Sequence, residues 1–204
     1  FLKKYKNASF VQISEPLAKT LKTTFNYNIV PIGEEHIIDL AKFKYNWRLR
    51  PNLIRYKNKF KKLDFKFREM SFNDEYIKKC QNVSVKWLRQ KKHKKEQSFL
   101  TRPLLYKQEE NVRLFVLEDK TDIAAFLTLD PMYIDNNVYG YMINHIRYHP
   151  ELPKGSTYAL IAHVIDLLQK ENITILNLGL APYEDSSVKP SGMFILNSFL
   201  KLLY

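Results

Sequence analysis

The sequence is poor in glycine and contains a single cysteine. Five glycines among 204 residues are too few for a loop whose backbone N–H groups cradle a phosphate, and neither G-x-x-x-x-G-K-[ST] nor G-x-G-x-x-G occurs. The lone Cys80 excludes a disulfide within the chain and a cluster of thiolate metal ligands. Because no histidine stands at ligand spacing from it, we interpret Cys80 as a structural residue.

Motifs of metallohydrolases, serine hydrolases and membrane-spanning proteins are absent as well. The sequence contains no H-E-x-x-H and no G-x-S-x-G, and its five histidines are scattered, so it predicts no zinc site. No apolar run approaches the ~18 residues that span a bilayer. Residues 197–204 stop within an apolar run that has the pattern of a helix, which leads us to expect a piece of a longer protein.

Positive charge is in excess, since 33 Lys and Arg residues face 21 Asp and Glu residues, a surplus of +12. Such a surplus favours a polyanionic partner, either nucleic acid or an anionic membrane surface. The cations concentrate at 55–62 and 91–95 and are interleaved with aromatic side chains. We predict that these segments contact phosphates of RNA or lipid; the alternative is a solvated face with core aromatics behind it. The candidate residues are Arg55, Lys59, Lys91, Lys92, Lys94 and Lys95.

Strand and helix patterns alternate along the chain. Alternating or apolar runs predict strands at 9–14, 27–32, 64–70, 112–118, 122–130, 138–147 and 173–180. Helical patterns predict helices from Pro16 to Phe25, over 50–63, from a cap at Asn73 to about Arg89, from about Ser156 to Lys170, and over 192–204. The carboxylates Glu34 and Glu35 fit the first turn of a helix.

This order of elements predicts an α+β fold, a mixed sheet flanked by helices. A sheet of the GCN5-related acyltransferase (GNAT) type is one such arrangement, and the pattern alone does not select it. We place a boundary between two subdomains near residues 70–73, which gives an N-terminal part of 1–71 and a C-terminal part of 72–204.

The stretch 143–182 carries the most informative pattern. It reads I-N-H-I-R-Y-H-P, then P-K-G, then a helix, then N-L-G-L-A-P. This resembles the C-terminal domain of the phosphatidylglycerol lysyl- and alanyltransferases, the multiple peptide resistance factor family, with its I-D-x-x-R-Y-x-P, P-x-G and N-L-G-M-A-P-L. Segments at 33–43, 50–67, 83–99 and 122–131 resemble further motifs of the family in the same order, so the resemblance runs from about Gly33 to Pro182.

The resemblance implies an acyltransferase that moves an amino acid from aminoacyl-tRNA to the head group of a phosphatidylglycerol-type lipid, with no cofactor and no metal. It implies a tandem pair of GNAT-like folds whose first copy, 1–71, is incomplete. It also implies a position in the cytoplasm at the inner face of the cell membrane, next to a membrane-embedded segment absent from this chain. By the matched motifs, Asn144 and Arg147 are candidate catalytic residues, and Asn177, Gly179 and Gly155 are candidate substrate-binding residues.

One departure from the family pattern keeps other functions open. Asn144 stands where the family has Asp, and an amide can hydrogen-bond but cannot hold an ammonium by charge or accept a proton as a base. The alternatives are a non-catalytic GNAT-like module that binds lipid or RNA and an acyltransferase with another donor. Arg147 either grips a phosphate or forms a surface ion pair, and it shares a face with Asn144 only if the strand bulges.

Overall fold

The periodic apolar residues fold into four helices and six strands in the computed structural model, which describes residues 8–11, 13–30, 33–91, 94, 96, 102–120 and 122–182. In chain order they are α1 (Glu15–Phe25), β1 (Gly33–Asp39), α2 (Pro51–Lys62), β2 (Lys66–Met70), α3 (Asp74–Arg89), β3 (Arg113–Glu118), β4 (Ile123–Ile134), β5 (Asn137–Tyr148), α4 (Ser156–Lys170) and β6 (Ile175–Pro182). The helices predicted over 50–63, after Asn73 and from Ser156 are confirmed. The helix predicted over 192–204 lies outside the described residues.

The chain divides into two compact units, Phe1–Glu34 with Leu180–Tyr204, and Glu35–Gly179. In the first unit, α1 has Pro16 in its first turn, as predicted, and buries Ala18 and Leu21. It ends where Asn26 adopts a left-handed conformation with φ 54°. The N–H of Asn26 donates to the carbonyl of Lys22 at 3.1 Å, which satisfies one of the last carbonyls of the helix.

Two strands predicted near the N-terminus are wrong. The described residues of 9–14 and 27–32 have no regular structure, and β1 begins only at Gly33. Alternation shows which side chains would share a face, but a strand forms only where a neighbour exchanges backbone hydrogen bonds with it. The expectation that Glu34 and Glu35 lie in the first turn of a helix is also wrong, because both belong to β1.

The strands form a single sheet in the order β1-β6-β5-β4-β3-β2. Strands β2 to β5 follow one another as antiparallel neighbours, and α4 then returns the chain so that β6 pairs parallel to β5. The predicted α+β fold with a mixed sheet is confirmed. The boundary predicted between residues 71 and 72 lies between β2 and α3, two elements of the larger unit, and the division into tandem copies stays a prediction.

Side-chain alternation gives the sheet two different faces. One face packs against α4, which also packs against α2, and its core includes Leu127, Ile143 and Leu176. The other face packs against α3 through a smaller core that includes Phe126 and Cys80. Burial raises the pKa of the Cys80 thiol to about 12, which fits a structural residue. Among the described residues, no helix is both long and apolar enough to cross a bilayer.

Candidate functional site

Strand β5 contains two residues more than its neighbour β4 requires, Tyr139 near its start and Asn144 near its middle. Thr128 pairs with His145 and Leu129 pairs with Ile143, so Asn144 is an additional residue with no partner in the ladder. This is a β-bulge, which bends a strand and re-aims the side chains around it. The bulge therefore decides which side chains of β5 share a face.

The effect of the bulge is visible in the core. Ile143 before it and Ile146 after it both pack into the core beneath α4, although residues three apart in a regular strand point to opposite faces. Asn144 and Arg147 consequently both lie on the face that packs against α3. The sequence analysis required a bulge for Asn144 and Arg147 to share a face, and the structure contains that bulge.

The amide of Asn144 is held in a fixed orientation. Its Nδ2 donates to Oδ2 of Asp130 at 2.8 Å. Arg102 donates to both carboxylate oxygens of Asp130, at 3.0 and 2.6 Å, and to Glu109 at 2.7 Å. Since an ionised carboxylate only accepts hydrogen bonds, the amino group of Asn144 must face Asp130. The oxygen Oδ1 of Asn144 is thereby left as an acceptor for another group.

A second amide lies where the pairing of β5 and β6 ends. Asn177 is 2% exposed and stands opposite Met142 in the last pair of the parallel ladder. Its Nδ2 donates to Oε2 of Glu35 at 3.0 Å, and its Oδ1 accepts the N–H of Gly179 at 2.8 Å. Gly179 has φ +93°, a conformation that favours glycine. Asn177 thus satisfies a backbone group at the point where the two strands cease to pair.

These side chains form a row across one face of the sheet, which we call the polar row: Asp130, Asn144, Asn177 and Glu35. Asp130 is the cross-strand partner of Met142, and Met142 is the partner of Asn177. Cross-strand neighbours lie about 5 Å apart, so Met142 stands between Asp130 and Asn177, and the row spans the four strands β4, β5, β6 and β1. It combines two amides and two carboxylates, groups that can hold a polar or cationic ligand.

Arg147 lies between α3 and the sheet and is 7% exposed. Its guanidinium carbon stands 3.9 Å from the centre of the Trp87 ring, and Nη2 donates to Glu96 at 2.7 Å. Its Nε has no hydrogen-bond partner among the described residues. Burial lowers the pKa of Arg147, an effect that Glu96 opposes. The interpretation of Arg147 as an exposed ion pair is therefore wrong, because its guanidinium is buried while it pairs with Glu96.

His145, which the sequence did not single out, is buried beside this site. Its backbone N–H donates to Oγ1 of Thr128 at 3.2 Å, and Nδ1 lies 3.1 Å from the same oxygen. The Thr128 hydroxyl and Nδ1 of His145 therefore share a hydrogen bond inside the buried site. Burial, aided by the charge of Arg147, lowers the pKa of His145 to about 4, so the ring is neutral at pH 7.

The comparisons with known proteins agree with the order of motifs. The family model described as phosphatidylglycerol lysyltransferase, C-terminal, matches residues 2–204. The chain belongs to this family. The phosphatidylglycerol lysyltransferase of Bacillus subtilis (strain 168) is 26% identical over 160 residues, and that of Staphylococcus aureus (strain COL) is 29% identical over 161 residues. These matches cover 78% and 77% of this chain but only 18% of each relative.

A solved structure supports the fold of this member of the family. The structure of L-PGS from Bacillus licheniformis superposes with a TM-score of 0.76 at 24% identity, over 91% of this chain and 56% of that one. At this identity the likeness shows the fold alone. The chain therefore has the fold of L-PGS and spans about a fifth of the length of the curated relatives it matches.

The matched glycine of the family's P-x-G motif lies on the opposite face of the sheet from the polar row. Gly155 precedes α4 with φ +100°, and a Cβ there would lie 2.1 Å from the ring of Tyr56. Arg55 and Lys59 stand 5.3 and 5.9 Å from the centre of that ring, and Lys59 donates to the carbonyl of Lys154 at 3.3 Å. The structure thus brings Gly155, Arg55 and Lys59 together around Tyr56.

The second basic segment is described only in part. Lys91 follows α3, and its ammonium lies 4.3 Å from the centre of the Trp87 ring that also contacts Arg147. Lys94 is exposed and has φ 50°. Lys92 and Lys95 lie outside the described residues. A phosphate-binding role for these four lysines stays a prediction.

Sequence reasoning missed three polar residues of the site, namely Asp130, Arg102 and His145, and it placed a fourth, Glu35, in a helix instead of a strand. Asp130 reaches Asn144 through the register of β4 on β5, and Arg102 binds that carboxylate from the segment before β3. Glu35 reaches Asn177 because β1 is the edge strand beside β6. A strand predicted over 33–39 would have placed Glu35 in the sheet. The sequence offers one sign of it, because Ile37 and Ile38 are adjacent and do not repeat at helical spacing.

Proposed function

We propose that this chain transfers an aminoacyl group from aminoacyl-tRNA to a hydroxyl of a phosphatidylglycerol-type head group, at the cytoplasmic face of the membrane. The observation that carries the proposal is the polar row, which lies where β5 and β6 cease to pair in a member of the phosphatidylglycerol lysyltransferase family.

The row suits the binding of an amine next to an ester. The oxygen Oδ1 of Asn144 can accept a hydrogen bond from the amine of the aminoacyl group, and the carboxylate of Asp130 stands directly behind the amide. Arg102 balances that charge, so the site attracts an amine less strongly than an unpaired carboxylate would. Substrate recognition here therefore depends on hydrogen-bond geometry more than on net charge.

The reaction itself needs positioning and charge stabilisation. The lipid oxygen forms a bond to the acyl carbon, the ester bond to the ribose oxygen breaks, and the proton of the lipid hydroxyl passes to that oxygen. Alignment of two bound substrates can supply much of the rate, and donors aimed at the tetrahedral oxyanion supply more. The sequence offers no G-x-S-x-G nucleophile, so we propose direct transfer without a covalent enzyme intermediate.

The second candidate function is a non-catalytic module that binds lipid or RNA. The observation that favours it is Asn144 itself, because a neutral amide occupies the position of the family's carboxylate and is already bound to Asp130. Such a module would bind the same two ligands and would leave the ester bond of the donor intact.

An assay with a radioactive amino acid distinguishes the transferase from the binding module. Lysyl- and alanyl-tRNA carrying a radioactive amino acid are incubated with the chain and phosphatidylglycerol, and the label that enters the organic phase is measured. Asn144→Ala should lower transfer by about tenfold or more, since it removes a hydrogen bond to a polar or charged group. Asn137→Ala, at an exposed amide in the first residue of the same strand, is the matched control. Binding of both ligands without any lipid label would establish the binding module instead.

A further inference from the structure

One segment of the larger unit contains many basic residues and no acidic residue. Between Asp39 and Asp64 the sequence has nine Lys and Arg residues and no acidic residue. We call residues 40–63 the basic segment. Within the described part of the chain, Lys42 pairs with Asp39 and Lys57 pairs with Asp166. The remaining cations have no acidic partner there: Lys44, Arg48, Arg50, Arg55, Lys59, Lys61 and Lys62.

The turn that precedes α2 holds two large apolar side chains in water. Leu49 is 73% exposed and Trp47 is 67% exposed, the highest values among the large apolar residues of the described chain. The turn is well defined, because Oδ1 of Asn46 accepts the N–H groups of Arg48 and Leu49 at 2.9 and 3.3 Å. The carbonyl of Asn46 also accepts the N–H of Arg50 at 2.7 Å. The exposure therefore belongs to an ordered turn.

Helix α2 continues this surface. Its buried residues Leu53, Tyr56 and Phe60 recur at helical spacing. Leu53 and Phe60 belong to the core beneath α4, and the ring of Tyr56 stacks on Tyr158 of α4. Arg55 and Lys62 lie on the outer side and are exposed. The turn and the outer side of α2 thus combine protruding apolar groups with unpaired cations.

We propose that the turn 46–50 and the outer side of α2 dock on an anionic phospholipid bilayer. The inference rests on the proposed function, since docking brings the chain to the membrane that contains the lipid acceptor. Trp47 and Leu49 enter the head-group layer, where indole rings are favoured and apolar burial adds to binding. Arg48, Arg50 and Arg55 contact lipid phosphates, whose charge is complementary to the basic segment.

RNA could also bind the cations, but it does not account for Leu49. Phosphates of RNA attract Lys and Arg, and unpaired bases stack on aromatic rings. An aliphatic side chain that protrudes further than any other large apolar residue described gains nothing from either contact. A bilayer gives both Trp47 and Leu49 an apolar environment, so lipid fits the whole surface.

The test is flotation of the 204-residue chain with vesicles. We expect binding to vesicles of equimolar phosphatidylcholine and phosphatidylglycerol, and little binding to phosphatidylcholine alone. The pair Trp47→Ser and Leu49→Ser should weaken binding to the anionic vesicles by roughly tenfold. Replacing Arg48, Arg50 and Arg55 with Gln should weaken it at least as much and reduce its dependence on salt. Tyr133→Ser with Ile134→Ser, an exposed aromatic and aliphatic pair in the β4–β5 hairpin, is the matched control and should bind normally.

A second measurement distinguishes lipid from RNA. In a Trp87→Phe background, Trp47 is the single tryptophan, and its emission should shift to shorter wavelength with anionic vesicles and not with tRNA. Vesicle binding that is unchanged in the Trp47→Ser and Leu49→Ser variant would overturn the proposal. Loss of tRNA binding in the arginine variant together with unchanged vesicle binding would also overturn it and assign the surface to RNA.

Transfer assays separate this inference from the proposed function. Transfer to dispersed short-chain phosphatidylglycerol needs no docking, so the Trp47→Ser and Leu49→Ser variant should retain it while losing transfer to vesicles. A chain that floats with anionic vesicles but transfers nothing to either lipid would refute the proposed function and support the docking surface. A chain that transfers to both lipids but does not need Trp47 and Leu49 for either would refute the docking surface.

Discussion

The two faces of the sheet differ in their polar content, although the same strands supply both. The face beneath α4 is lined by aliphatic and aromatic side chains, such as Leu127, Ile143 and Leu176. The face towards α3 carries the polar row, and next to it lie buried His145 and Arg147. Alternation along the strands separates a face that stabilises the fold from a face that can do chemistry. One bulged residue, Asn144, sets where the polar face begins.

The largest effect should come from the apolar face. Leu127 is fully buried, and Leu127→Ala should lower the free energy of unfolding by about 3 kcal/mol through lost burial and a residual cavity. Urea unfolding followed by circular dichroism measures it. Leu105→Ala, at a half-exposed leucine, should cost less than about 1 kcal/mol. Equal costs at the two positions would contradict the assignment of stability to the face beneath α4.

Acid should destabilise the polar face. The pKa of His145 is about 4 in the folded chain, below its usual 6.5, so the unfolded chain binds the extra proton first as the pH falls. This contribution to stability is fully present above pH 6.5 and is lost towards pH 4, by up to about 3 kcal/mol. Burial also lowers the pKa of His149 and His163, which adds in the same direction.

The share of His145 can be isolated by substitution. His145→Asn keeps a hydrogen-bonding group for the Thr128 hydroxyl but does not titrate, so its unfolding free energy should fall less steeply between pH 6.5 and 4. Urea unfolding at a series of pH values gives the slope for both chains. Parallel slopes would mean that the pKa of His145 does not differ between the folded and the unfolded chain.

Arg147 links the polar face to α3, and its planar guanidinium should matter for transfer. Arg147→Lys keeps the charge beside Glu96 but loses the flat group over Trp87. We expect transfer to fall by about tenfold, roughly 1.4 kcal/mol, with a smaller loss of stability. This variant tests the guanidinium more specifically than Arg147→Ala does, because truncating a buried side chain would also remove its packing contacts.

The matched control is Arg113→Lys. Arg113 also lies over aromatic rings and pairs with two carboxylates, Glu69 and Glu171. Its role is structural, so the change should alter stability and leave transfer per folded molecule unchanged. Similar transfer losses in both variants would remove the special role of Arg147.

Much of the fold could be predicted because a long periodic segment indicates its secondary structure without information about its neighbours. The apolar period of α4 and the cap at Asn73, whose side chain accepts the N–H of Tyr76 at 3.0 Å, are local signals. The described residues of 9–14 show the limit of alternation, because no local pattern reveals whether a partner strand is present.

The site was predictable only where the family pattern marked it. Motifs selected Asn144, Arg147 and Asn177, but they gave no partner for any of them. Asp130 lies 14 positions before Asn144, and the bulge that lets them meet depends on strand register, which is a property of the folded sheet. The protein environment of a selected residue therefore had to come from the structure.

The smallest expected effect concerns Asp130 and Asn144 themselves. Asn144→Asp would restore the carboxylate that the family carries here, but its oxygen would stand beside Asp130, since the amide nitrogen now lies 2.8 Å away. Two neighbouring carboxylates repel each other, and one of their pKa values rises. Because Arg102 binds both oxygens of Asp130, it offsets part of the repulsion. We expect the free energy of unfolding at pH 7 to fall by only about 1 kcal/mol.

The double variant Asp130→Asn with Asn144→Asp separates this repulsion from function. It keeps one carboxylate and one amide in contact, so the hydrogen bond can form in the reverse direction and most of the lost stability should return. If the amine of the aminoacyl group binds at position 144, the double variant should also transfer lysine or alanine faster than Asn144→Asp alone. Unfolding and transfer are measured on the same preparations. If the costs of the two single changes simply add, the side chains do not act as a pair, and Asn144 would then serve only to fix the bulge.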